Sequence, residues 1–511
     1  MTVIEAPVPL RSHGHFAEGS RIEPQQRIST AWLLAIVFGG AFVTRVIALG
    51  SFPAIKADEG LWTRSTKNYV LFGDWFLDRH THLFLSPLFH LLSIPLFRLL
   101  GPTIVAGRLV SALAGTLSVW LLYVLVRRVT LQPRIALISA MILACSEWGI
   151  LQSREALIES LEVCVILACA TVLTFEGMLA LVGGGVLFGL LLLTKINAIF
   201  MAAPIAYLVM MSSTRSGNPL TSPRAWLSAS IVGLTGALIA GAGYYLLYRT
   251  HPADFFGAFK YELDGVHFES GSHPLVRIGR FGIDPVQVGR TIIALFREEP
   301  ILLTFTTIGV AILPWVRTRG VSFFATWLFV GAVFFFAQMY QPIRYFYLLM
   351  PGIVCFAAVF LDWLARPMGQ SSPTSRRVAY AATSAFLAFD LMYTAMNAVA
   401  NRNNWFTDVH GWLQANTNPR DRLMVSAMLA TDVPNPAYAY YRVVHGPEDL
   451  DPVIRQLHIR YVVTDDAEWP REYCAVVDRL YAKRFTGAHS IVYEVGLKTA
   501  LQPEPPGPRQ R

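Results

Sequence analysis

The chain has 511 residues, of which 54% are apolar and only 15% charged, and its formal net charge is +8. With a mean hydropathy of +0.45, this excludes an ordinary soluble protein of the same length, which would carry far more charge. Repeated apolar runs of about 20 residues mark a polytopic membrane protein instead. The positive balance calls for no nucleic-acid partner, because basic residues in cytoplasmic loops produce it. Cys145, Cys164, Cys169, Cys355 and Cys474 show neither a disulfide framework nor metal-ligand spacing.

Residues 1–29 read as a polar cytoplasmic tail. They lack the apolar core and small-residue cleavage site of a signal peptide, so Ala31 opens a retained first helix. Spanning helices are expected near 31–50, 104–126, 133–151, 157–175, 178–194, 196–213, 226–248, 299–316, 321–339, 343–363 and 378–398, about eleven in all. Pro87 to Leu100, with Pro95 inside it, is too short for a span and fits an interfacial or re-entrant helix. With that segment left out of the count, Arg127-Arg128 and Arg134, Arg215 and Arg224, Arg317 and Arg319, and Arg366 with Arg376-Arg377 all fall on one side. This is the positive-inside pattern, and it puts the N-terminus in the cytoplasm. The outside then receives the 51–103 loop, the turns at 153–159 and 195–197, the 249–298 loop, and the tail from 400 onward.

The unusual polar residues lie in these outer pieces. Asp58-Glu59 follows the first span, and Arg64, Lys67, Arg79, His80 and His82 come after it. Acids at the mouth of a membrane helix are costly unless they face water or a partner, so they suggest function, here on an anionic, lipid-borne substrate; the alternative is a solvated loop. Arg154, Glu155 and Glu159 crowd the second outer turn, Lys195 and Asn197 the third, and Glu262, Asp264, His267, Glu269 and His273 the second long loop. Arg344-Tyr345 opens the tenth span. A transporter more often places such groups at the midplane on interrupted helices. A site at the surface suits an enzyme that takes one substrate from the lipid and another from water.

From 400 to 498 the chain reads as a small extracytoplasmic α/β domain. Strands are expected at 423–427, 461–464 and 490–495 and helices at 447–457 and 471–483, followed by a disordered tail at 499–511. Asp465-Asp466 and Glu468 could suggest a metal site, but acids after a strand read as a solvated turn.

Ala57-Asp58-Glu59-Gly60-Leu61-Trp62, then Leu71-Phe72-Gly73-Asp74-Trp75, Ser86-Pro87-Leu88-Phe89 and Phe97-Arg98-Leu99-Leu100-Gly101 together resemble the first outer loop of GT-C glycosyltransferases. The resemblance is to the branch holding the protein O-mannosyltransferases and the aminoarabinose transferase acting on lipid A. Gln152-Ser153-Arg154-Glu155-Ala156-Leu157-Ile158-Glu159 resembles the second outer loop of that branch. Leu193-Thr194-Lys195 resembles its Leu-Thr-Lys-Gly turn, and Arg344-Tyr345 with Pro351 the start of a late helix. The match runs over residues 30–365 of the 30–399 membrane domain.

The resemblance implies a GT-C fold, a polyprenyl-phosphate sugar donor, and transfer to a glycan, lipid or protein acceptor outside the membrane. It makes Asp58 the catalytic carboxylate, with Glu59 beside it. Arg344, Tyr345, Lys195 and, more distantly, Arg64 would bind the donor phosphate. Glu159, with Arg154 and Glu155, would orient the acceptor, help hold a divalent metal or position Arg154; Glu159 could equally serve only the dipole of the following helix. His267 stands where relatives carry a functional loop His, and His82 is a further loop or metal candidate. Ser86 occupies the place of the Lys that often precedes the short helix in relatives, with His82 or Arg79 as substitutes. The Arg- and Ala-rich composition points to a bacterial inner membrane. Rival readings are a lipid-linked sugar transporter or flippase, and a non-catalytic protein that binds polyprenyl phosphate.

Overall fold

In a computed structural model of the chain, the described residues are 24–75, 82–213, 221–264, 276–278, 281–316, 318, 320–338, 340–365, 373–400, 406–433, 435–439, 444 and 446–496. The membrane part begins with α1 (Pro24–Val46), α2 (Ala57–Phe72), α3 (Pro87–Leu100), α4 (Ile104–Thr130), α5 (Pro133–Cys145), α6 (Glu147–Arg154), α7 (Glu159–Val172) and α8 (Met178–Thr194). A 3-10 turn (Ile196–Met201) leads into α9 (Ala202–Ser213), then α10 (Pro223–Thr250) and α11 (Pro252–Asp264). The hairpin β1 (Val276–Ile278) and β2 (Phe281–Ile283) precedes α12 (Pro285–Glu298), α13 (Pro300–Ala311) and α14 (Val321–Phe336). A second 3-10 turn (Ile343–Leu349) runs into α15 (Met350–Ala365), and α16 (Pro373–Ala400) closes this part.

The segments expected to span are helical where described, but among the described residues length and apolarity alone qualify four: Ile104–Thr130, Ile196–Ser213, Pro223–Thr250 and Ile343–Ala365. A fifth, α5 with α6, bends by 56°. The expected count of about eleven is therefore not reached on length. Several of the remaining helices are short, such as α7 with 14 residues and α13 with 12, because the chain breaks where polar groups enter the bundle. The bend at Ser146 is held from outside the helix. Arg45, buried in α1, donates from Nη2 to the Leu143 carbonyl at 2.9 Å and from Nη1 to the Ala144 carbonyl at 3.2 Å. These are carbonyls that the break leaves without helical partners, and in lipid they need one. Trp226, Leu234, Leu238 and Leu246 of α10 remain exposed, as a lipid-facing helix requires.

The C-terminal part starts with α17 (Thr407–Asn416) and builds one sheet from β3 (Arg422–Val425), β4 (Ala437–Ala439), β5 (Ile459–Asp465), β6 (Ala482–Thr486) and β7 (Ser490–Glu494). The spatial order is β4-β3-β5-β7-β6, with β3 parallel to β4 and β5, and β7 antiparallel to β5 and β6. Strand alternation divides the core. Leu423, Val425, Tyr461, Val463 and Val492 pack toward α17. Met424, Val462 and Tyr493 pack on the other side, toward α18 (Leu450–Gln456) and α19 (Arg471–Leu480). The expected strands and helices are present, except that the helix expected at 471–483 ends at Leu480 and residues 482 and 483 open β6. α17, β4 and β6 are additions: β4 is only three residues, and β6 carries Lys483 and Arg484, so neither has a strong apolar pattern.

This domain sits on α2. A Cβ at Gly60 would lie 1.6 Å from the Ala427 carbonyl oxygen, so only glycine permits this approach of the two backbones. Lys67 donates from Nζ to the carbonyls of Ala430, Val433 and Asn435 at 2.5, 3.0 and 3.0 Å. Burial, with Arg64 nearby, lowers the pKa of Lys67 to about 7. The three carbonyls oppose that shift, since only the ammonium form has three N–H groups to give. Asp432 accepts the Ile104 N–H at 2.6 Å, at the start of α4, and Thr63 meets Thr431 at 2.5 Å. Lys67→Met is expected to leave three buried carbonyls unsatisfied and to loosen the docked domain by about 3 kcal/mol. Limited proteolysis should then release the C-terminal part faster than in the parent; equal rates would show that apolar packing alone holds the domain.

Candidate active site

Four charged side chains from four separate parts of the chain meet where α2, α7, α8 and the 343–349 turn converge. Asp58 lies in the first turn of α2 and pairs with Nη1 of Arg344. Arg344 Nε is 3.5 Å from Oε1 of Glu159, and Lys195 Nζ is 3.4 Å from the same oxygen. The order Asp58, Arg344, Glu159, Lys195 alternates in sign. Lys195 Nζ also stands 3.8 Å from the centroid of the Tyr345 ring, a cation–π contact. Tyr340 meets the same ring edge-on at 6.2 Å.

Local structure explains each placement. Asp58 gains from the α2 dipole, and Lys195 follows the last residue of α8, where a cation is favoured. Glu159 starts α7 just after the second outer turn. The 3-10 geometry of 343–349 turns Arg344 and Tyr345 toward the other three before α15 begins. Exposure separates the acids: the Asp58 side chain is 37% exposed, that of Glu159 only 1%.

The remaining expected site residues lie elsewhere in the network. Glu59 is fully buried and turned from the four-charge group. It takes two N–H donations from Arg108, Nε to Oε2 and Nη2 to Oε1, each at 2.7 Å. It also accepts the Ala156 N–H at 2.7 Å and the Lys56 N–H at 3.1 Å. Arg154 donates to the carbonyls of Thr44 (2.6 Å), Ile47 (2.8 Å), Ala48 (3.1 Å) and Phe52 (3.0 Å), closing the C-terminal end of α1. Glu155 accepts Lys56 Nζ at 2.5 Å; burial pushes its carboxyl up in pKa and the Lys56 charge pulls it back. Arg64 is buried within α2. His82 packs edge-on against Trp62 at 4.2 Å. Ser86 occupies the N-cap position of α3, without a side-chain capping bond, and is buried. His267, Arg79, His80, Glu269 and His273 lie outside the described residues, and so do the side chains of Glu262 and Asp264.

The sequence reading missed four members of the neighbourhood. Glu162, one turn beyond Glu159, is fully buried behind Lys195, and Arg108 is fully buried in α4. Each is an ionisable residue inside an apolar helix, a signal that could have identified it. Lys56, beside the pair, belongs to the same loop. The turn expected to be solvated is so only in part: Asp465 is buried, and Glu468 reaches the site from the C-terminal domain, accepting the Ala427 N–H at 2.8 Å beside Gly60. Burial, together with the Asp465 and Asp58 charges, raises its pKa to about 7. Among the described residues no three His, Cys, Asp or Glu side chains converge as metal ligands. The group offers paired cations suited to a phosphate and one half-open carboxylate within their reach.

Residues 85–240 match the family described as dolichyl-phosphate-mannose-protein mannosyltransferase. The fold is similar to the crystal structure of ArnT from Cupriavidus metallidurans bound to undecaprenyl phosphate, at 14% identity and a TM-score of 0.64, over 91% of this chain and 97% of that one. It is also similar to the oligosaccharyltransferase of Archaeoglobus fulgidus, at 13% identity and 0.54, over 93% and 76%. The mycobacterial arabinofuranosyltransferase AftD aligns at 14% identity and 0.53, over 91% of this chain and 40% of AftD. No curated protein matches in sequence. The chain has the GT-C glycosyltransferase fold, as the outer-loop motifs implied.

Proposed function

We propose that the protein is an integral membrane glycosyltransferase that moves a sugar from a polyprenyl-phosphate donor to a hydroxyl acceptor on the extracytoplasmic face. The observation that carries this reading is Asp58, half-open to solvent, within the same group as the cations Arg344 and Lys195. The match to a mannosyltransferase family and the GT-C fold support it. So does the undecaprenyl phosphate bound to the ArnT of similar fold.

In the reaction, the acceptor oxygen attacks the anomeric carbon while the bond from that carbon to the phosphate oxygen breaks. The electron pair leaves with the polyprenyl phosphate, and the acceptor's proton passes to the Asp58 carboxylate. A single displacement inverts the sugar carbon. Phosphate is a good leaving group, so the departing side needs positive charge rather than a proton, and Arg344 and Lys195 supply it. Tyr345 fixes Lys195 through its ring, and Glu159 aligns both cations. Glu59, Arg108 and Arg154 hold the outer loops in place. The C-terminal domain, docked on α2, covers the site from the acceptor side. With the basic loops inside, the N-terminus is cytoplasmic, and a bacterial inner membrane is the setting this reading assigns.

The test is transfer in membranes with a panel of radiolabelled polyprenyl-phosphate sugars, using an Asp58 variant as background. Label from one donor is expected in an extracytoplasmic glycan, lipid or protein, with free polyprenyl phosphate released in equal amount. If every donor survives intact while the gene still complements, the transfer reading falls and a transporter or binding protein takes its place.

A further inference from the structure

Resting on the glycosyltransferase reading above, we propose that the donor phosphate and Asp58 compete for Arg344, so that donor binding itself releases Asp58 to act as base. The four-charge group contains two cations, Arg344 and Lys195, and two carboxylates, Asp58 and Glu159, and each cation already faces a carboxylate. Glu162 stands behind Lys195 and adds no positive charge. Among the described residues of this group no cation is in surplus, so an incoming phosphodiester gains a full ion pair there only by taking one from a carboxylate.

Burial decides which carboxylate gives way. The Glu159 side chain is 1% exposed and touches both cations from beneath, so displacing it would strand a charge in the protein interior. The Asp58 side chain is 37% exposed, and water can solvate it as soon as Arg344 turns away. While Arg344 Nη1 donates to Asp58 Oδ2, that oxygen is occupied. Once the guanidinium turns away, it is open to take the acceptor's proton. The acceptor hydroxyl therefore meets a free base only when donor is present.

The same competition runs backwards after transfer. The proton taken from the acceptor neutralises Asp58, while the leaving phosphate becomes a monoester and holds Arg344. Loss of that proton to water restores the Asp58 charge, and Asp58 pairs with Arg344 again once the lipid phosphate has left.

Competition predicts that removing the Asp58 charge tightens binding of the phosphate while stopping transfer, which a base with no other part does not predict. The experiment measures undecaprenyl phosphate binding to the full chain in nanodiscs for the parent, Asp58→Asn, Arg344→Gln and the double variant. Asp58→Asn is expected to bind about tenfold more tightly, a change of about 1.4 kcal/mol, and the gain should vanish in the Arg344→Gln background. Equal or weaker binding by Asp58→Asn overturns the competition and leaves the glycosyltransferase reading intact. A gain that persists without Arg344 also overturns it, since the effect would then be general charge removal. Absence of binding by the parent and by Asp58→Asn alike removes both this proposal and the functional reading. Asp58→Ser replaces Asp58→Asn if the latter does not purify as a monodisperse protein.

Discussion

Replacing Asp58 with Asn is expected to lower the rate of sugar transfer by about 10²–10⁴-fold, the usual contribution of a positioned base, with the melting temperature within about 2 °C of the parent. Asparagine keeps the size of the side chain and an oxygen toward Arg344, so only the charge and proton affinity are lost. The neighbouring acid offers no rescue. Both Glu59 oxygens are taken by Arg108 and by backbone N–H groups, and the side chain is fully buried. Single-turnover transfer from a preloaded donor reads the chemical step free of donor binding. Retention of parental single-turnover rates would remove Asp58 from the chemistry, with Glu468 the next carboxylate to test, since it lies at the same α2 start.

Arg108→Met is the change with the largest expected effect on stability, a loss of about 3–5 kcal/mol from breaking one side of a buried ion pair. Arg108 and Glu59 are both fully buried, joined by two N–H donations, and Arg108 Nη1 also donates to the Leu49 carbonyl at 2.9 Å. Deleting the guanidinium leaves the Glu59 carboxylate with only the N–H groups of Ala156 and Lys56. The pair ties together the loop after α1, the start of α2, α4 and the second outer turn, so its loss should free the segment that carries Asp58. Thermal unfolding of purified protein reads the effect. Adding Glu59→Leu should recover part of the loss, because an apolar pair of similar volume avoids the stranded charge. Recovery would assign Glu59 to the framework. If Glu59→Gln instead keeps full stability and loses transfer, Glu59 belongs to the chemistry.

Much of the framework was legible from local pattern. Each apolar run became a helix, and the alternating tail became a sheet, because burial periodicity is a property of a short stretch of chain. Glu159, Lys195 and Arg344 stood out as charges at the ends of apolar helices, and Asp58 as an acid in the loop after the first span; the resemblance to GT-C outer loops implied their roles. Their common side followed from the arginine distribution, and the structure brings all four together.

Tertiary structure decided what local pattern leaves open. Asp58 and Glu59 are adjacent and chemically alike, but on a helix they point about 100° apart, and Arg108, far along the chain, captures one of them and leaves the other for the site. Arg154 looked like a site residue because a guanidinium beside two acids is ambiguous; the unpaired carbonyls closing α1 claimed it. The stretch 57–72 read as a polar loop yet is a helix buried from Glu59 to Asn68, because the C-terminal domain returns over it and supplies partners for its polar side chains. Such partners lie more than 300 residues away in sequence. Sequence periodicity marks which side chains need a partner, whereas the identity of that partner depends on how distant elements pack.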